Sequence, residues 1–170
     1  MKTLKNVMLV LVMSLAIVSC KKDDDGGDDP QGGTGTLTAN VGGASYSATF
    51  GITAQLSGSG ASQALAISGG TADSENLQMI IQGFDGEGTY DLSFVNIGTY
   101  TILTDINDPM SAIIYSTVGD AQSVNGEVNV SSFDGNIAKG TFEFTAINLD
   151  DASDIKEVTN GEFNIEVTNQ

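Results

Sequence analysis

From residue 126 to the C-terminus, large apolar and polar side chains alternate with a period of two. Val128 and Val130 alternate with Glu127 and Asn129. Phe142, Phe144 and Ala146 alternate with Thr141, Glu143 and Thr145, and Phe163, Ile165 and Val167 with Glu162, Asn164 and Glu166. Successive side chains of a strand point to opposite faces, so each run describes a strand with one buried and one wet face. The same grammar covers Tyr46, Ala48, Phe50, Ile52, Ala54 and Leu56, then Leu65 and Ile67, then Leu77, Met79 and Ile81. Tyr90, Leu92 and Phe94 share one face of a further strand, and Tyr100 and Ile102 mark a short one. Ala112 to Val118 is apolar on both faces, as a central strand is. Turn residues separate the late runs: Asp134-Gly135-Asn136, Asp150-Asp151 and Asn160-Gly161. No stretch after Gly35 carries a helical stripe. The pattern predicts an all-β domain over residues 36–170, an antiparallel sandwich or flattened barrel of about nine strands.

Two local echoes occur within it. Gly88-Thr89-Tyr90 returns as Gly98-Thr99-Tyr100, and Asn125-Gly126-Glu127-Val128-Asn129-Val130 as Asn160-Gly161-Glu162-Phe163-Asn164-Ile165. Neither reaches the length of a structural repeat, so both read as strand-start grammar.

The N-terminus is of another kind. Lys2 and Lys5 precede an apolar run from Val7 to Val18, interrupted only by Ser14. Twelve residues are too few for a membrane span, which needs about 20, and suit the core of a signal peptide occupying 1–19. Ile17-Val18-Ser19-Cys20 fits a lipobox, in which small side chains admit the peptidase and the Cys thiol receives a diacylglyceryl group. Cys20 is the single cysteine of the chain. That excludes an intrachain disulfide, and lipidation accounts for its presence. A diacylglycerol plus an N-acyl chain anchors stably where one chain does not, since each buried methylene contributes about 0.8 kcal/mol. Residues 20–35 then offer no apolar side chain to a core and predict a disordered acidic tether reaching roughly 20 Å.

Cleavage before Cys20 leaves four lysines against 22 acidic residues, a net charge of −18. A surface this acidic lacks the cations that displace counterions from phosphates, which argues against nucleic-acid binding. Lys21, Lys22, Asp23, Asp24 and Asp25 directly follow the Cys. This run resembles the export signal of surface lipoproteins in Bacteroidota. The resemblance implies an outer-membrane protein, lipid-anchored and facing the exterior.

Catalytic readings find little support in the residue inventory. The absence of His removes the imidazole base and the Ser-His-Asp triad. A hydrolase would have to rest on paired carboxylates, and acids are too frequent to single out a pair. The chain is therefore expected not to be an enzyme. Oxygen-rich loops suit a hard cation such as calcium. The best clusters are Asp105, Asn107 and Asp108, and Asp150, Asp151 and Asp154, although neither fits the EF-hand pattern. Tyr46, Tyr90, Tyr100 and Tyr115 all lie in strand patterns and read as core or rim packing. Glu127, Glu143, Glu162 and Glu166 are expected on the wet face of the late strands, where like charges opposite one another cost stability.

The stretches Gly126–Asp134, Lys139–Phe144 and Val158–Ile165 resemble a family of small Bacteroidota lipoproteins whose domain has no assigned function. The likeness implies an all-β domain on a lipid anchor and offers no catalytic residues. The readings that follow are a non-enzymatic binding or structural domain contacting an extracellular ligand or surface protein, a glycan- or small-ligand-binding accessory of an uptake system, and a carboxylate-based hydrolase.

Overall fold

The computed structural model describes residues 35–119 and 123–170. Strands dominate: β1 (Gly35–Val41), β2 (Ala44–Ser47), β3 (Phe50–Ser57), β4 (Ala64–Gly70), β5 (Glu75–Gln82), β6 (Gly88–Leu92), β7 (Ile97–Leu103), β8 (Ala112–Ser116), β9 (Gly126–Phe133), β10 (Ile137–Asn148) and β11 (Ile155–Asn169). Three single turns of 3-10 helix, at Gly60–Ser62, Pro109–Ser111 and Thr117–Gly119, are the only other regular elements among the described residues.

The all-β class stands, with eleven strands where the alternation suggested about nine. Residues 35–41 form a strand of their own. The run from Tyr46 to Leu56 breaks at Ala48-Thr49, because these neighbours bond to different strands. Ala48 N donates to Leu37 O of β1 (2.9 Å) and Thr49 N to Gly70 O of β4 (2.8 Å). Tyr46, Ala48 and Ile52 keep the same parity across this corner, so the sequence pattern gives no sign of it.

The strands follow the order β2-β1-β11-β3-β4-β5-β7-β8-β10-β9-β6, and β10 also pairs with β11. That extra pairing closes β11, β3, β4, β5, β7, β8 and β10 into a barrel-like ring, with β1–β2 and β9–β6 as flaps. All neighbours are antiparallel except β11 and β3, which run parallel over Val167↔Ala54 to Asn169↔Leu56. The sheet is thus mixed. The parallel pair joins residues more than a hundred positions apart, beyond the reach of any local pattern. The two junctions, β11–β3 and β8–β10, are short and divide the ring into two halves. One comprises β3, β4, β5, β7 and β8. The other comprises β10 and β11 with their flaps.

Inward side chains of both halves form one core, in which Leu37, Ile52, Leu65, Leu77, Val128 and Ile165 are among the most buried. Aromatic rings cover glycines directly opposite them. Phe163 faces Gly140 and Phe142 faces Gly161 across β10–β11, and Phe144 faces Gly126 across β10–β9. A Cβ on Gly161 would come within 2.5 Å of Phe142 Cδ2, so the ring occupies the missing side chain's space. Phe84 plugs the core beside β6, edge-on to Phe133 at 5.0 Å.

Two bulges change the expected facing of residues. In β3, Phe50 pairs with Gly70 but Thr53 with Ser68, so β3 carries one extra residue at Gly51, whose φ is 60°. Phe50 therefore leaves the face of Ile52 and turns outward, 47% exposed, which corrects its placement among the buried residues of that run. In β11, the pairs Phe142↔Gly161 and Phe144↔Val158 enclose an extra residue beside Asn160, at φ 51°. Asn160-Gly161 is accordingly a bulge inside a fifteen-residue strand and not a turn between strands. Phe94 also departs from expectation: β6 ends at Leu92, and Phe94 lies 59% exposed in the following turn.

Candidate binding surface

The sequence-derived site residues fall in three places. Cys20, Lys21, Lys22, Asp23, Asp24 and Asp25 lie outside the described residues. Asp105, Asn107 and Asp108 occupy the β7–β8 loop, and Asp150, Asp151 and Asp154 the β10–β11 loop. In both loops the carboxylates accept bonds from their own turns. Asp105 Oδ1 accepts from Asn107 N at 2.9 Å, Asp108 Oδ1 from Met110 N at 3.0 Å, and Asp151 Oδ1 from Ser153 N at 3.0 Å. The Ser153 hydroxyl and amide hold the Asp151 carboxyl below its usual range. Asp154 Oδ2 accepts from Tyr115 Oη at 2.7 Å and from Asn148 Nδ2 at 3.1 Å, and these bonds lower its pKa. Among the described residues, no group of three or more His, Cys, Asp or Glu is placed to hold a metal ion.

Three of the four tyrosines are buried fasteners. Tyr46 Oη donates to Gly69 O and accepts from Leu77 N, tying β2 to β4 and β5. Tyr100 Oη donates to Glu75 Oε1 at 2.5 Å, and Tyr115 fixes the β10–β11 loop through Asp154. Burial pushes Tyr46 and Tyr115 up to about 12 and raises Tyr100 as well; for Tyr100 and Tyr115 the carboxylate partners add to the shift. Tyr90 sits at the rim, bonded to Asp85 and Gly86.

The outer faces of the two halves differ in charge. Strands β6, β9, β10 and β11 carry Asp91, Glu127, Glu143, Glu157, Glu162 and Glu166 against only Lys139 and Lys156. Asp91 pairs with Glu127 and Glu127 with Glu143, giving three carboxylates abreast on neighbouring strands. The β11 bulge opens a shallow depression of about 340 Å³ beside them, bordered by Glu127, Glu143, Asn160 and Glu162.

The strands of the other half are nearly uncharged, and the acids nearest them, Asp73, Asp105 and Asp108, lie in the connecting loops. Glu75 is the single charged residue in β3, β4, β5, β7 and β8, and it shares its side of β5 with Leu77 and Met79. Both its oxygens accept hydroxyls, from Tyr100 and from Thr71 Oγ1 at 3.2 Å. The outer face carries hydroxyl, carboxamide and aliphatic side chains in rows. Thr53, Ser68, Gln78 and Thr99 form one, Gln55, Ala66, Ile80 and Ile97 the next. A third runs Phe50, Gly70, Asn76, Thr101, Ile114. Phe50 lies over Gly70, where a Cβ would come within 2.9 Å of its Cε2. It is thus an aromatic exposed on an uncharged sheet surface. Reading strict alternation hides this residue. The signal that could have found it is Gly51, since an isolated glycine within a strand pattern marks a bulge.

The profile of a family described as a domain of unknown function (DUF6252) matches residues 33–165. No curated protein matches the chain.

Proposed function

The chain belongs to the DUF6252 family, and from that premise we propose that it is a lipid-anchored outer-membrane protein displaying a non-enzymatic β domain for binding outside the cell. The observation that carries the binding role is the segregation of charge. A chain of net charge −16 keeps the strands in one half of its ring free of outward charge. Scattered surface charge serves solubility everywhere, so a neutral face marks a surface suited to contact. The anchoring role is supported by the lone Cys20 behind a short apolar leader and by the acidic run from Asp23 to Asp25. Fourteen residues separate Cys20 from the start of β1 at Gly35. The Gly- and Asp-rich composition of a segment of that length supports a reach of roughly 20 Å, enough to lift the domain clear of headgroups.

Labelling cells with a clickable fatty acid tests the anchor. The wild-type chain is expected to take up label and to lose it with Cys20→Ser. Protease treatment of intact cells then tests display: digestion of the domain supports an outward orientation, and protection refutes it.

A further inference from the structure

We infer that the neutral face of β3, β4, β5, β7 and β8 binds an uncharged polysaccharide, with the Phe50 ring as an apolar platform and the amide and hydroxyl rows as its hydrogen-bonding partners. The inference rests on the reading of this domain as a binding head and names its ligand class. Three observations converge on it. The strands of this face carry no outward charge, and the acids bordering it, Asp73, Asp105 and Asp108, lie in the connecting loops, so the sheet surface itself offers no charge to select an ionic partner. On a molecule this acidic, an anionic ligand would meet repulsion from the whole protein, whereas a neutral one meets none. Its polar groups are those that both donate to and accept from sugar hydroxyls: the carboxamides of Gln55, Asn76 and Gln78 and the hydroxyls of Thr53, Thr99 and Thr101. Asn76 Nδ2 donates to Ser68 Oγ at 3.3 Å, which links its amide to the neighbouring row.

The aromatic is the third. Phe50 is 47% exposed at the end of the row that holds Asn76, and its ring covers the buried Gly70. A sugar ring offers an apolar C–H face that such a ring can cover, while its hydroxyls reach the amides alongside. The longest row crosses five strands, about 19 Å at the usual strand spacing, which suits a chain lying along an open surface better than a chain end in a pocket. A second copy of this protein is the competing occupant.

Affinity electrophoresis of the domain in native gels containing neutral polysaccharides (a β-glucan, a xylan, a mannan, an α-glucan), with polygalacturonate as the anionic control, tests the inference. At least one neutral polymer should retard the domain, and polygalacturonate should not. Phe50→Leu keeps Gly70 covered but removes the aromatic face, and should weaken binding about tenfold. Gln78→Glu places a carboxylate at the centre of the face and should weaken it similarly, while Glu143→Gln on the acidic half should leave it unchanged. Thermal melts confirm that each variant is folded. Absence of retardation by every neutral polymer overturns the inference, as does wild-type binding by both face variants. A dimer in light scattering that Gln78→Glu dissociates also overturns it, by assigning the face to self-association. None of these results affects fatty-acid labelling or protease digestion, so failure of the ligand class stays distinct from failure of the anchoring role.

Discussion

Single residues hold this fold where backbones come closest. Gly140 lies beneath the Phe163 ring, and a Cβ there would overlap the Asn129 carbonyl and approach Phe163 Cζ to 2.6 Å. Backbone cannot yield as a flexible side chain does, so Gly140→Ala is expected to cost about 1–3 kcal/mol in urea unfolding. A loss within error of zero would show that β9 and β10 can part without penalty. The buried tyrosines give a pH dependence with a definite sign. Tyr46 and Tyr115 sit at about 12 in the folded state and Tyr100 is also raised, against about 10 for an exposed phenol. Groups raised by folding contribute fully below the unfolded value and lose that contribution as pH rises through the folded one. The melting temperature should therefore fall from about pH 10 upward, and Tyr115→Phe should make that fall shallower. Asp151 and Asp154, lowered by their hydrogen bonds, act in the opposite sense, losing their contribution as pH drops below the ordinary carboxylate value of about 4. The sequence placed all four tyrosines on strands. It could not supply the partners Gly69, Glu75 and Asp154, which come from other strands and loops.

At the scale of the element, two bulges decide which side chains are seen from outside. Gly51 turns Phe50 outward, and Asn160 bends β11 and opens the depression beside Glu143. Asn160 holds φ 51°, which β-branched residues resist. Asn160→Val should cost about 1–2 kcal/mol while Asn160→Gly remains near neutral, a difference read directly from paired denaturation curves. Equal stability of the two would mean that the bulge relaxes away. The row Asp91, Glu127, Glu143 sets three carboxylates side by side. Glu143→Gln is expected to stabilise the domain by about 0.5 kcal/mol at low salt. That gain should vanish near 1 M salt, where the Debye length falls to about 3 Å. A gain that persists undiminished would point to packing instead of repulsion. Strand identity was legible here because alternation is local: residues 126–130, 137–146 and 161–167 follow it closely. Facing was legible only until a bulge intervened, since one extra residue shifts the parity beside it: Phe50 points out two residues before the inward Ile52, and Val158 points in three before the inward Gly161.

Across the whole molecule, charge is divided between two halves of one ring. The acidic half should make the domain salt-tolerant, with a denaturation midpoint that rises between low and moderate ionic strength as repulsion is screened. A midpoint that falls over that range would locate the dominant electrostatics elsewhere. The neutral half is the product of five strands with a single charge between them, placed together by the order β3-β4-β5-β7-β8. The sequence by itself determined the all-β class, the inward residues of most strands and the acidity of the late ones, because these follow from a period of two and from composition. The tertiary structure alone decided that β11 closes on β3, that glycines lie under rings, and that Phe50 stands on an uncharged surface. Each of these depends on which distant segments become neighbours, and pairing between strands far apart in the chain leaves no periodic trace within either one.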